Sequence, residues 1–205
     1  MIIRLRGPRM TAIVDGMDTD AMNLCGKLLI AMPEMGDNRF SQSVVYMCAH
    51  SEEGAMGLIV NKPAPDIRFT HLLEQLGIDA RPGVRDIRVH IGGPVENSRG
   101  FVLHTQDYRS EAGTLEVDDQ ICMTATMDVL EDLAKGEGPD TSMLALGYAG
   151  WGPGQLEGEI GQNAWLTCEP RDDIIFGRAN EHKWTAALKQ LGIDPLLLSG
   201  TAGRA

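Results

Sequence analysis

The chain has 205 residues, 43% of them hydrophobic and 23% charged, which is the composition of a globular protein with a core of its own rather than of a disordered or fibrous one. Its 29 acidic side chains against 18 basic ones leave a formal charge of −11, a field that repels phosphate backbones and argues against nucleic-acid binding. No apolar run reaches the ~18 residues of a membrane span, and no uninterrupted apolar stretch follows the basic N-terminus as in a secretion signal, so no membrane association is expected.

Residues 1–22 follow neither a helical nor a strand period and carry Gly7, Pro8, Gly16 and three aspartates. They read as a tail ahead of one domain over 23–205. KLLIAMP at 27–33, SVVYMCAH at 43–50 and GAMGLIVNKP at 54–63 read as strands, with SEEG at 51–54 as a tight hairpin turn. FTHLLEQLG at 69–77 places Phe69, Leu72, Leu73 and Leu76 at helical spacing, with Thr70 able to cap and Gly77 to terminate. VHIGGPV at 89–95, GFVLHT at 100–105, TLEV at 114–117 and ICMTA at 121–125 read as four further strands.

TMDVLEDLAKG at 126–136 is a second helix, opened by Thr126 as N-cap and stopped by Gly136. SMLALGYAGW at 142–151 is nearly continuous apolar sequence, as expected of a central strand covered on both faces. GPGQLEGEIGQN leads through a loop into a short helix, NAWLTCE at 163–169 is a strand, and DDIIFG at 172–177 is a short strand or turn. Glu181 to Leu191 forms the last helix, packing through Trp184, Leu188 and Leu191. The predicted class is α+β, with helices over a mostly antiparallel or mixed sheet.

Chemistry-bearing patterns are sparse. Gly150, Gly152 and Gly154 alternate after an apolar strand, but no Lys, Ser or Thr follows as a phosphate loop requires. Glu157 and Glu159 already complement the positive end of the following helix. Close packing of Trp151 against neighbouring backbone explains the glycines better. Glu157 and Glu159 lie two apart on a helix and so do not face each other as an acid/base pair would. Cys48 and His50, two apart on a strand, are expected to share a face, where His104 would complete a metal or nucleophilic site. The competing reading is a buried inert thiol beside a hydrogen-bonded imidazole. His90 ends a strand before Gly92-Gly93-Pro94, which reads as a sharp turn. Cys25, Cys48, Cys122 and Cys168 form no CxxC pair, consistent with reduced thiols in the cytoplasm. No catalytic signature is present, and neither metal nor cofactor is expected.

LLIAMPEMGDNRFSQSVVYMCAHSEEGAMGLIVNKP at 28–63, IGGPVENSRGFVLHT at 91–105, LGYAGWGPGQLEGEIGQNAWLT at 146–167 and the ending GTAGRA resemble the bacterial YqgE/AlgH family. The resemblance spans residues 24–205. It implies an α+β fold with a bifurcated sheet that includes a small closed barrel, surrounded by helices. Some members of that family carry the label of transcriptional regulator, which implies a regulatory role and names no DNA-binding motif. Asn38 stands where the family often has Pro after Asp.

The reading that follows is a non-catalytic binding or regulatory protein acting on a protein partner or small ligand. Its working surface would comprise the loops at Asp37 to Phe40, Gly92 to Asn97 and Gly150 to Gln155, because loops on a rigid scaffold carry recognition. The candidate binding residues are Asp37, Phe40, Cys48, His50, Asn61, Gly92, Gly93, His104, Trp151, Gln155 and Glu157. The alternatives are a small-molecule binder or hydrolase built on Cys48 and His50, and a regulator that contacts DNA directly.

Overall fold

The computed structural model describes residues 23–33 and 35–198. The expected tail at 1–22 and the GTAGRA ending lie outside the described residues. Ten strands form one sheet: β1 (Leu28–Ala31), β2 (Val44–Ser51), β3 (Gly54–Ile59), β4 (Pro63–Arg68), β5 (Arg88–Ile91), β6 (Val95–Thr105), β7 (Leu115–Glu116), β8 (Ile121–Thr124), β9 (Ser142–Trp151) and β10 (Trp165–Cys168). The helices are α1 (Phe69–Leu76), α2 (Met127–Lys135), α3 (Gln155–Gly161), α4 (Asp172–Ile175) and α5 (Asn180–Gln190).

The sheet runs β10-β1-β2-β3-β9-β6-β8-β7, with β5 and β4 branching from β9. One edge of β9 pairs with β6 along most of its length. Its other edge is shared: Leu144 to Leu146 pair in parallel with β5, and Ala149 to Trp151 pair antiparallel with β3. The expected α+β fold with a bifurcated sheet is therefore present, and its barrel element is a curled half-barrel.

This fork determines what Gly92 and Gly93 do. β5 and β6 lie on opposite edges of β9, so the link between them passes across β9 rather than turning back as a hairpin. A Cβ at Gly92 would lie 2.3 Å from the carbonyl oxygen of Gly147, and one at Gly93 would lie 2.1 Å from the carbonyl carbon of Tyr148. Only glycine allows two backbones to approach this closely. The Gly-Gly-Pro segment is thus a crossing, not the sharp turn expected from its composition.

Alternation along the strands divides the core. Val44, Tyr46 and Cys48 of β2 point into a cluster with Leu103, Met143 and Ala145, closed by Ile174, Ile175, Trp184 and Leu188 from α4 and α5. Val45 and Met47 point the other way, toward Trp151, Leu156 and Trp165. Leu144 joins a third cluster with Phe69 and Leu73 of α1 and Val129 and Leu133 of α2. β9 is therefore buried on both faces, as its unbroken apolar run implies.

Several local signals act as expected. Ser51 pairs with Gly54 across the SEEG turn, and α1 and α2 end at Gly77 and Gly136 in the left-handed conformation. Thr126 occupies the N-cap position of α2, but its hydroxyl donates to the Asp128 carboxylate and caps no backbone amide. Thr70, by contrast, lies inside α1, whose N-cap position is Arg68. DDII is a helical turn rather than a strand, with Asp172 and Asp173 complementing its positive end. PAPDIR forms β4, which the sequence reading passed over.

Candidate functional site

Two of the three loops singled out in the sequence meet the middle of the third, the Gly92 to Asn97 segment, around a cleft of about 400 Å³, lined by Asp37, Arg39, Phe40, Pro94, Val95, Trp151, Gln155, Glu159 and Trp165 among others. The first loop is a 3-10 turn at Asn38–Phe40 with Asp37 as its N-cap. The Asp37 carboxylate accepts from the Arg39 amide at 3.0 Å and forks with its guanidinium at 2.7 to 3.1 Å. These bonds to Arg39 hold the Asp37 carboxyl below its usual pKa. Asn38 takes the first position of this turn, where Pro is favoured because its φ is preset, so the Asp37 cap and fork hold the turn in its place. Asn61 pins the loop from behind, donating to the Gln42 carbonyl and accepting from the Val44 amide, each at 2.8 Å. Lys62 adds a bond from Nζ to the Arg39 carbonyl at 2.6 Å.

The floor of the cleft is aromatic. Phe40 stacks on Trp151 at 6.4 Å and meets Trp165 edge-on at 5.5 Å, and the two indoles meet edge-on at 5.7 Å. Trp165 is 2% exposed and Trp151 7%. Both indole N–H groups donate to one atom, Glu159 Oε2, at 2.9 Å from Trp151 and 2.8 Å from Trp165. Gln155 donates to Glu159 Oε1 at 2.9 Å while its own oxygen accepts from the Gly152 amide at 3.0 Å. Glu159 therefore ties α3, the end of β9 and β10 into one unit. The cleft presents the half-buried Phe40 over two immobilised, buried indoles, with a charged rim at Asp37 and Arg39.

The expected pairing of Cys48, His50 and His104 does not occur. A bulge between Met47 and Ala49 of β2 shifts the register, so the side chains two apart no longer share a face. Cys48 stays in the inner cluster with Tyr46, where burial drives its thiol pKa far up. His50 faces the opposite side: Nδ1 accepts from the Leu24 amide at 3.3 Å, and Nε2 bonds Glu157 at 2.8 Å. With Nδ1 accepting, Nε2 carries the proton and donates. Glu157 is held below its usual pKa by a bond to its own amide at the start of α3 and by His50. His104 is fully buried on a third face, against the Thr105 carbonyl at 2.7 Å and the Thr124 hydroxyl at 2.9 Å. Burial lowers its pKa, which favours the neutral ring. Among the described residues no three His, Cys, Asp or Glu side chains are grouped as metal ligands.

A family model described as AlgH-like matches residues 28–196. The chain belongs to the AlgH-like family. A UPF0301 protein of Cereibacter sphaeroides is 56% identical over 184 residues, covering 90% of this chain and all of that one (100%). A UPF0301 protein of Paracoccus denitrificans is 57% identical over 185 residues, covering 89% and 97%. The solution structure of AlgH from Pseudomonas aeruginosa matches with a TM-score of 0.74 at 42% identity, covering 93% of this chain and 100% of that one. Protein DIP2367 from Corynebacterium diphtheriae shares the fold at TM-score 0.66 and 20% identity, over 89% and 92%.

In this AlgH-like chain the cleft takes in Asp37, Phe40, Trp151 and Gln155 from the candidate residues. Asn61 and the Gly92-Gly93 crossing support it from outside. His50 and Glu157 brace the neighbouring flank of α3, whereas Cys48 and His104 belong to the core. Trp165, which walls the cleft, and Glu159 stand outside the candidate binding residues, and only Glu159 has no counterpart among the positions that the family resemblance marks. Its signal was available: a buried tryptophan N–H needs an acceptor, and Trp151 and Trp165 bracket a helix that carries two glutamates.

Proposed function

We propose that this protein is a non-catalytic binding protein that recognises a protein partner through the cleft floored by Phe40, Trp151 and Trp165. The observation that carries this reading is the convergence of segments distant in sequence on an aromatic floor that Glu159 locks in place. Rigid aromatic anchors with a charged rim are the usual make-up of a recognition surface. The carboxylates that line the cleft are committed, Asp37 to Arg39 and Glu159 to two indoles and Gln155, and among the described residues no thiol or hydroxyl lines it, which favours this reading over a hydrolase built on Cys48 and His50. A regulatory role, as the family resemblance implies, fits action through a protein better than direct DNA contact, because the charge of −11 opposes phosphate. A cytoplasmic setting for a single domain over 23–205 is consistent with the four free cysteines and with the lack of any helix long and apolar enough to cross a membrane among the described residues.

The test is quantitative co-purification from the native extract with wild type, Asp37→Ala and Phe40→Ala. A stoichiometric partner that is lost from both variants, and that rebinds purified wild type, supports the reading. A partner set unchanged in both folded variants overturns it.

A further inference from the structure

A second cavity, of about 560 Å³, lies away from the cleft where β5, the start of β9 and the link between α4 and α5 meet. Arg85, Arg88 and Arg178 line it. Among the described residues none of these three is paired with a carboxylate, whereas Arg39, Arg99, Arg109 and Arg171 all are. Arg85 is committed to the chain, donating to the Pro139 and Asp140 carbonyls. Arg88 bonds the Arg178 carbonyl at 2.6 Å through one nitrogen only. Arg178 has no side-chain bond of this kind.

Strand pairing brings in a fourth guanidinium. Arg68 of β4 stands directly opposite Arg88 of β5, an arrangement of like charges that destabilises an antiparallel pair. Behind them sit His90, Asn180 and Lys183, each at most 4% exposed. His90 lines the cavity and has Asn180 Oδ1 at 3.3 Å. Asn180 opens α5, and its Nδ2 has no partner. Lys183 bonds the Val60 and Ile175 carbonyls at 2.7 and 2.9 Å and no carboxylate. Burial, and then the nearby Arg88, push Lys183 down to about 8. Burial also lowers His90, and Lys183 and Arg88 add to the effect. The acids at the cavity, Asp86 and Asp140, neutralise none of these cations by a direct pair.

An acidic protein that gathers cations without carboxylate partners around a cavity, beside a buried Asn180 amide that lacks an acceptor, is arranged for an anion. We infer that this cavity binds the phosphoryl group of a small organic molecule, held by Arg88 and Arg178 at the uncapped start of α5. Guanidinium forks match phosphate oxygens bidentately, and the cavity lies beside the start of α5, whose positive end favours an anion. The volume exceeds that of an inorganic ion and falls within the small-molecule range. Ile87, Met143, Ile175 and Phe176 supply an apolar wall for the rest of the ligand. This inference stands independently of the aromatic cleft.

The experiment is a titration of the full-length protein with inorganic phosphate, and separately with acetate, at constant ionic strength, followed by amide NMR shifts. Saturable phosphate shifts confined to residues near 85–90 and 176–183 are expected. Arg178→Gln should weaken them about tenfold, the scale of one lost charge-assisted bond, while Trp151→Phe leaves them unchanged. Arg178→Gln is the cleaner variant because the bond from Arg88 uses the carbonyl of Arg178 and survives the substitution. Arg88→Gln provides the second. Saturation by acetate but not by phosphate would overturn the phosphoryl assignment. Shifts that do not saturate, or that both variants leave intact, would overturn the site.

Discussion

Two polar centres of this protein, one buried and one with its arginines exposed, have opposite states of completion. At the cleft, one carboxylate accepts two indole N–H groups and a side-chain amide. At the basic corner, the buried Asn180 side-chain amide has no acceptor, and the exposed Arg178 beside it has no carboxylate partner, among the described residues. A completed network of buried polar groups fixes geometry, and removing a member costs stability. An incomplete one is costly as it stands, and its cost falls when something binds. The comparison therefore assigns Glu159 a positioning role and the basic corner a ligand, and each assignment has its own test.

The largest effect should come from Trp165→Ala. This side chain is 2% exposed and packs on both Phe40 and Trp151. Its removal should cost roughly 3–5 kcal/mol, the range for large aromatics lost from a core, read from urea denaturation. A loss within the range of a surface substitution would show that the cleft floor is not part of the core. Next comes Glu159→Ala, which strands two indole donors and should cost about 2–4 kcal/mol, at about 1–2 for each, the lower part of the range for a stranded group. Glu159→Gln keeps an acceptor oxygen and should recover much of this. Equal losses for the two variants would mean that charge, not acceptance, holds the indoles.

The basic corner makes a pH-dependent prediction. Lys183 has its folded pKa lowered from 10.5 to about 8, so between those values the unfolded chain binds more protons than the folded one. Stability contributed by this group therefore rises with pH from about 8 toward 10.5, and the charged lysine opposes folding below that window. Cys48, Cys122 and Cys168 have raised pKa values and act in the opposite sense above pH 9.0. Lys183→Met isolates the lysine. The advantage of the variant over wild type in urea midpoint should be greatest near pH 7 and shrink toward pH 9. An advantage independent of pH would show that Lys183 is not the titrating group.

How far the sequence reveals these centres depends on whether the signal is local. The SEEG hairpin, the helix stops at Gly77 and Gly136 and the doubly buried β9 follow from neighbouring residues, and all are found. β4 was hidden by its two prolines, which a central strand excludes but which β4 tolerates because its ladder with β5 is broken between Pro63 and Arg68. α4 spans only four residues, too few for a helical period to show. The loops of the cleft were legible as clusters of turn formers and aromatics, but the identity of the hub was not, since Glu157 and Glu159 differ only in which neighbours the fold brings to them. The basic corner draws on segments near 68, 88, 140 and 178, and no local window contains it.

The smallest expected effect bears on the pairing that looked most chemical in the sequence. Cys48 and His50 would be a nucleophile and its base only on a regular strand. One bulge separates them, leaving Cys48 2% exposed in the inner cluster. Thiol reactivity follows the thiolate and its access to solvent, and burial opposes both at Cys48. Cys122 and Cys168 are also buried, whereas Cys25 is partly exposed. Brief iodoacetamide treatment of the native protein at neutral pH, read by peptide mass spectrometry, should therefore label Cys25 first and leave Cys48 unmodified until denaturant is added. His50→Gln should not change that order, because the imidazole faces Leu24 and Glu157 rather than the thiol. Rapid native labelling of Cys48 that depends on His50 would restore the catalytic reading and remove the bulge as its obstacle.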